Sequence, residues 1–127
     1  MQLLKQCLAI GLAGSLGALA RFFVAKHLQS KFETNFPLGT MVVNLSGCFI
    51  LGFFMAVTSG RLAVSDTTKL AIGVGFVGAY TTFSTLMYDS VKLSQDGEHY
   101  KAGLNLLISL LVGLAAVWLG AICGRRI

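Results

Sequence analysis

Four apolar stretches of membrane-crossing length, joined by short polar connections, predict an all-α integral membrane protein with four transmembrane helices. The composition agrees: 55% of the 127 residues are hydrophobic, 12% are charged and one is proline. A mean hydropathy of +0.77 lies beyond the range of an ordinary water-soluble domain. A third observation is local. The third apolar stretch carries glycines and hydroxyl residues where a lipid-crossing helix should be most regular, so that helix is expected to be broken.

The stretches fall at 6–25, 38–58, 70–91 and 102–123, each near the roughly 20 residues that cover a hydrocarbon core. The first is longer than the apolar core of a signal peptide and is expected to be retained. Connections at 27–37, 59–69 and 92–101 hold most of the charge, and Asp96-Gly97 marks a turn in the last. With no linker, repeat or low-complexity tract, residues 1–127 read as a single four-helix membrane domain. Small residues repeat at four-residue spacing as Gly11/Ser15, Gly14/Ala18 and Ala116/Gly120/Gly124, a pattern that lets membrane helices approach closely. Cys7, Cys48 and Cys123 lie far apart in apolar surroundings, without metal-ligand spacing, and read as buried small hydrophobes.

In the third stretch Gly73, Gly75 and Gly78 fall within six residues, each costing a helix about 1 kcal/mol relative to alanine. Tyr80, Thr81, Thr82, Ser84 and Thr85 follow. A bilayer tolerates loose backbone only inside protein or along a watery path. Freed carbonyls and hydroxyls at such a place form an ion site, which makes this tract the expected centre of a small channel or transporter. Thr40 and Asn44 share a helix face, Asn105, Ser109 and Gly113 repeat along the fourth stretch, and Thr81 and Thr85 align in the third. Such neutral donors can replace an anion's water shell; the alternative is that they bond neighbouring helices. Arg21, at the rim of the first stretch, offers positive potential to gather anions at a vestibule, or snorkels to a headgroup.

Asp89 is the one acidic residue at the rim of a span, and no acid lies deep in the first, second or fourth. That counts against a small four-helix cation-coupled exporter of the multidrug-resistance type, which needs a membrane carboxylate. The exporter stays as the alternative. No nucleophile, base and orienting group fall into a catalytic arrangement and no GxxxxGK phosphate loop occurs, so an enzyme is not expected. The net charge of +5 is spread over membrane edges and does not indicate nucleic-acid binding. Lys5, Arg61, Lys69, Arg125 and Arg126 face one side and Arg21, Lys26, Lys31, Lys92 and Lys101 the other, so five oppose five. This balance suits a chain that inserts both ways and pairs with an inverted copy; one weakly specified orientation is the alternative.

Three tracts, Gly17-Ala18-Leu19-Ala20-Arg21, Gly39-Thr40-Met41-Val42-Val43-Asn44 and Gly75-Phe76-Val77-Gly78-Ala79-Tyr80-Thr81-Thr82-Phe83-Ser84-Thr85, together resemble the Fluc/CrcB fluoride channels over nearly the whole chain. The resemblance implies fluoride-selective export by passive electrodiffusion through two pores of an antiparallel, dual-topology homodimer in the cell's inner (plasma) membrane. It implies Asn44, Phe83, Ser84 and Thr85 as fluoride-facing groups, with Thr40 nearby and Asn105 and Ser109 on a fourth-helix polar track. A structural sodium ion is expected at the dimer centre on the backbone carbonyls of Gly78 and Thr81. Leu86 stands where many members carry a second phenylalanine.

Overall fold

The computed structural model describes residues 1–60 and 62–127. Along them run α1 (Gln2–Phe32), α2 (Leu38–Gly60), α3 (Asp66–Lys69), a π-helical stretch (Leu70–Val77), α4 (Gly78–Tyr80), α5 (Phe83–Gln95) and α6 (His99–Arg126). Four units are long and apolar enough to cross a membrane: Gln2–Phe32, Leu38–Gly60, Asp66–Gln95 and His99–Arg126. Each outruns its apolar stretch because polar residues at a membrane rim can continue a helix into water.

Local chemistry sets the ends. Glu33 adopts a left-handed conformation (φ 43°, ψ 43°) that stops α1. The Gln29 side chain then fastens the connection, its amide donating to the Thr34 and Phe36 carbonyls and its oxygen accepting from the Gly39 N–H. Ser65 caps α3 by accepting from the Thr68 N–H at 3.2 Å. At the expected turn after α5, Gly97 takes a φ of 81°, which a side chain would resist.

Contacts at the two ends fix an up-down-up-down path. At one end the Gln2 amide donates to the Thr67 hydroxyl at 3.2 Å. At the other, Lys101 Nζ donates at 3.0 Å both to Asn35 Oδ1 and to Glu98 Oε1. Arg61, counted in the charge balance, lies outside the described residues.

The third span changes neighbours along its length. Its first half, the π stretch and α4, packs on α1, while α5 packs on α6; α2 packs mainly on α6. The α1 seam runs through Gly14 and Gly17 instead of Gly11 and Ser15. A Cβ on Gly17 would collide with the Phe76 carbonyl oxygen, whereas nothing approaches Gly11 within 4 Å. The Ser15 hydroxyl bonds back to the Gly11 carbonyl at 2.9 Å. Between α2 and α6 the expected small residues do meet backbone: a Cβ on Gly120 would strike the Phe49 carbonyl oxygen, and one on Gly124 would lie 2.6 Å from that of Phe53.

Little of the chain is buried inside itself. Val43, Val77 and Asn105 are the largest fully enclosed side chains among the described residues, while leucines along α1 such as Leu12 and Leu16 point outward. In lipid that outward apolar face is solvated by acyl chains, and packing of small residues replaces the hydrophobic drive. The expectation of buried cysteines is corrected: Cys7 and Cys123 are exposed on the outer surface, and only Cys48 is partly enclosed. Cys48 faces α6, its Sγ 3.6 Å from where a Cβ on Gly113 would stand.

Candidate functional site

The third span does break, at the hydroxyl dipeptide and not at the glycines. Gly73 and Gly75 sit in the π-helical stretch, which keeps a hydrogen-bonded ladder at wider pitch. Thr81 (φ −87°, ψ 158°) and Thr82 (φ −151°, ψ 116°) are extended. A break needs replacement partners for its backbone groups, and Asn44 supplies them from α2. Its Oδ1 accepts from the Thr82 N–H at 2.7 Å and its Nδ2 donates to the Thr82 carbonyl at 3.0 Å. One carboxamide thus pairs with the N–H and the C=O of one residue, as a residue of a neighbouring strand would. Thr82 also starts α5, its hydroxyl accepting from the Thr85 N–H at 3.2 Å and donating to the Thr85 hydroxyl at 3.0 Å.

Asn44 acts within a local receptor for the break. Two residues on, the Ser46 hydroxyl pairs with the Tyr80 hydroxyl at 2.9 Å. At Gly47 a Cβ would collide with the Thr81 methyl group, so glycine is required for that approach. The Tyr80 ring is buried and stacks on Phe76 with centroids 6.1 Å apart. Residues Asn44, Ser46 and Gly47 therefore grip Thr82, Tyr80 and Thr81 in turn.

The same bonds release two carbonyls. The Thr82 N–H, given to Asn44, is withdrawn from the Gly78 carbonyl four residues back. The Thr85 N–H, given to the Thr82 hydroxyl, is withdrawn from the Thr81 carbonyl. These are hard neutral oxygen donors of the kind that suit a hard cation, and Gly78 lies exposed on the surface of the chain.

Beside the break lies a groove of about 260 Å³ lined by Asn44, Thr81, Thr82, Phe83, Leu86 and Ser109, among others. It brings together three of the expected pore residues, Asn44, Phe83 and Ser109. Phe83 is 75% exposed, which removes core packing as its role in this chain. The Ser109 hydroxyl is buried without a hydrogen-bond partner. Ser84 and Thr85 belong to the first turn of α5, Ser84 exposed and Thr85 half-buried.

Asn105 is placed differently. It is 1% exposed, and its Nδ2 donates to the Ser90 hydroxyl at 2.9 Å, binding α6 to α5 instead of lining the groove. Its Oδ1 has no partner. Thr40 lines a second, wider cavity of about 490 Å³ between the end of α1, the start of α2 and α5, with Lys26, Gln29, Asp89, Lys92 and Asp96. Lys26 and Lys92, and not the Arg21 expected at a vestibule, supply its cations. Arg21 is half-buried one turn deeper than Ala25 and does not line it.

At the rim of that end, Asn35, Glu98 and Lys101 tie two connections together. Hydrogen bonds from Lys101 and Asn35, and the lysine's charge, hold the exposed Glu98 carboxyl below its ordinary pKa of 4.5. Sequence reasoning did not mark Gln29 or Ser46 and counted Lys92 only in the charge balance, since a lone polar residue carries no signal of what it will touch.

The description "CrcB-like protein, Camphor Resistance (CrcB)" belongs to a family model that matches residues 8–121. A relative in Moorella thermoacetica, "Fluoride-specific ion channel FluC 2", is 48% identical over 113 residues, covering 89% of this chain and 91% of that protein. "Fluoride-specific ion channel FluC" of Acidobacterium capsulatum is 42% identical over 118 residues, covering 93% and 94%. The protein of the same name in Methylococcus capsulatus is 44% identical over 119 residues, which are 94% of this chain but 52% of that longer protein. Four spans, a third one broken and clamped by Asn44, and a match over most of its length make the chain a member of the CrcB-like family.

Proposed function

We propose that this chain is a fluoride-selective ion channel of the plasma membrane, passing fluoride down its electrochemical gradient so that a cell sheds fluoride that entered as the neutral acid. The observation that carries the reading is the groove beside the clamped break. Neutral polar groups, the unpartnered Ser109 hydroxyl among them, line it together with the exposed Phe83 ring. A small anion can trade water for hydroxyl and amide protons and for the positive ring edge without being trapped by a fixed cation. The names of the relatives favour a channel and give the cation-coupled exporter no support.

An inverted second copy completes the proposal. Phe83 and Gly78 both lie on the outside of the chain, where a partner would meet them. Two chains related by a two-fold axis in the membrane plane would pool the released carbonyls of Gly78 and Thr81, four oxygens able to hold a structural sodium ion. Asn44, Phe83, Ser84, Thr85, Thr40 and Ser109 remain the proposed fluoride-facing groups, and Asn105 is proposed to act on the pore by positioning α5.

The test is efflux from vesicles of phosphatidylethanolamine and phosphatidylglycerol loaded with potassium fluoride or potassium chloride, with a potassium ionophore to release the voltage. Fluoride should leave rapidly and chloride far more slowly. Comparable rates for the two ions, or no fluoride release, overturns the reading.

A further inference from the structure

A third cavity, of about 540 Å³, runs between α2 and α6 and has no part in the fluoride reading. Both helices run toward the same membrane face, and each lines the cavity at four-residue steps: Leu51, Met55 and Ser59 on α2, Val117, Ala121 and Arg125 on α6. Eight residues at roughly 1.5 Å each put about 12 Å between the Leu51–Val117 level and the Ser59–Arg125 level. That is close to half of a hydrocarbon core of about 30 Å, so the cavity is one leaflet deep. Gly52, Ala56 and Gly60, which also line it, bring no bulk. At Gly52 the helices lie so close that a Cβ would collide with the Val117 carbonyl oxygen. Small residues thus leave an open furrow beside a tight seam.

Polarity changes along the furrow in one direction. Its inner walls are Leu51, Met55, Val117 and Ala121, whereas Ser59 and Arg125 at the membrane rim offer a hydroxyl and a guanidinium. Neither of these two side chains has a hydrogen-bond or ion-pair partner among the described residues. No acidic residue among them lines the furrow. By position in the sequence, the same membrane face carries five Lys and Arg against one acid, Asp66; the other carries five against Glu33, Asp89, Asp96 and Glu98. A furrow apolar within and cationic at its mouth has the shape of an anionic amphiphile. Because a chain that leaves bulk lipid for the furrow gains only packing, the choice among lipids falls to the headgroup. Phosphate oxygens suit an O–H donor beside the planar fork of a guanidinium.

We infer that the furrow between α2 and α6 is a binding site for one anionic phospholipid, its phosphate held by Arg125 and Ser59 and its acyl chain reaching Leu51 and Val117. Phosphatidylethanolamine is a poorer occupant, since its own ammonium accompanies the phosphate and opposes the guanidinium. Leu51 and Val117 also line the groove beside the break, so the end of the chain lies next to the proposed fluoride-facing groups. The site stands or falls apart from fluoride conduction.

The experiment takes wild type, Arg125→Gln, Arg126→Gln and Ala121→Leu, strips each of lipid in detergent, and adds equimolar phosphatidylglycerol and phosphatidylethanolamine with identical chains. Retained lipid per chain is counted by native mass spectrometry. Wild type should favour phosphatidylglycerol about fivefold, the factor one basic residue contributes at an anionic surface. Arg125→Gln should bring that ratio close to one. Arg126→Gln removes the same charge from the same helix end without lining the furrow, and should leave the ratio unchanged. Ala121→Leu fills the furrow and should lower phosphatidylglycerol retention by about half or more. A wild-type ratio near one overturns the inference. So do equal losses in Arg125→Gln and Arg126→Gln, which would assign the preference to the charge of the whole rim. Retention unchanged by Ala121→Leu overturns it too, and loss of dimer in that variant with retention unchanged would place a second copy in the furrow. Should Ala121→Leu aggregate, Ala121→Val takes its place with the same expected fall, and undiminished retention overturns the inference.

Discussion

At Asn44 a single side chain answers for both backbone groups of Thr82. Replacing it with alanine leaves a half-buried donor and a half-buried acceptor without their protein partner, at about 1 kcal/mol each, the low end of the cost of an unmet group. Asn44→Ala should therefore reduce fluoride efflux by about fivefold or more, and should lower the melting temperature in detergent. Efflux and melting both equal to wild type would remove the clamp from the account. Phe83→Ile keeps bulk but loses the ring edge; since Phe83 supports no core packing, efflux should fall while melting stays within a degree or so. The sequence made Asn44 and Phe83 stand out through their setting, an amide inside an apolar helix and a ring inside a hydroxyl tract. It did not separate Asn105 from Asn44, because a buried amide that joins two helices looks the same in one dimension as one that faces a pore. Only the third dimension places Ser90 opposite Asn105 and the broken backbone opposite Asn44.

The third span shows why a helix breaks where it does. Glycines lower the cost of departing from helical geometry, yet Gly73 and Gly75 remain in a hydrogen-bonded π stretch; the ladder opens only where Thr82 has both a cap to offer and Asn44 to meet. The presence and approximate place of the break were legible in composition, and its residue was not, since it depends on α2. Thr82→Ala removes the cap of α5 and should cost about 1 kcal/mol, read as a lower melting temperature with partial loss of flux. Gly17→Val would drive a side chain into the Phe76 backbone and should cost about 1–3 kcal/mol or prevent assembly; the same change at Gly11, which faces open space, should be nearly neutral. The contrast is a test of which small residues form the α1 seam, something spacing alone could not decide. At the connections, the lowered pKa of Glu98 has a definite sign. Its tie to Lys101 and Asn35 stabilises the fold above the ordinary carboxylate value of 4.5 and is lost as pH falls through the depressed folded value. The melting difference between wild type and Glu98→Gln should accordingly shrink to zero in acid; a difference unchanged from pH 7 to acid would remove the tie from the account.

Taken whole, the chain encloses little of itself, and the parts most suited to function lie at its surface: Phe83, Ser84 and the Gly78 face. Four crossings and short connections were legible because hydropathy and helix length are properties of the chain alone. The partner was legible only indirectly, through evenly divided charge and through the family resemblance, because association is decided between chains. The central claim is that two inverted copies meet at third spans broken at Thr81–Thr82 and clamped by Asn44. A density map of the purified protein in lipid tests it most directly. The account predicts antiparallel copies, extended backbone at Thr81 and Thr82 in both, and the Gly78 and Thr81 carbonyls of the two chains converging on one site. Parallel copies, or a helix running unbroken through Thr82, would contradict it.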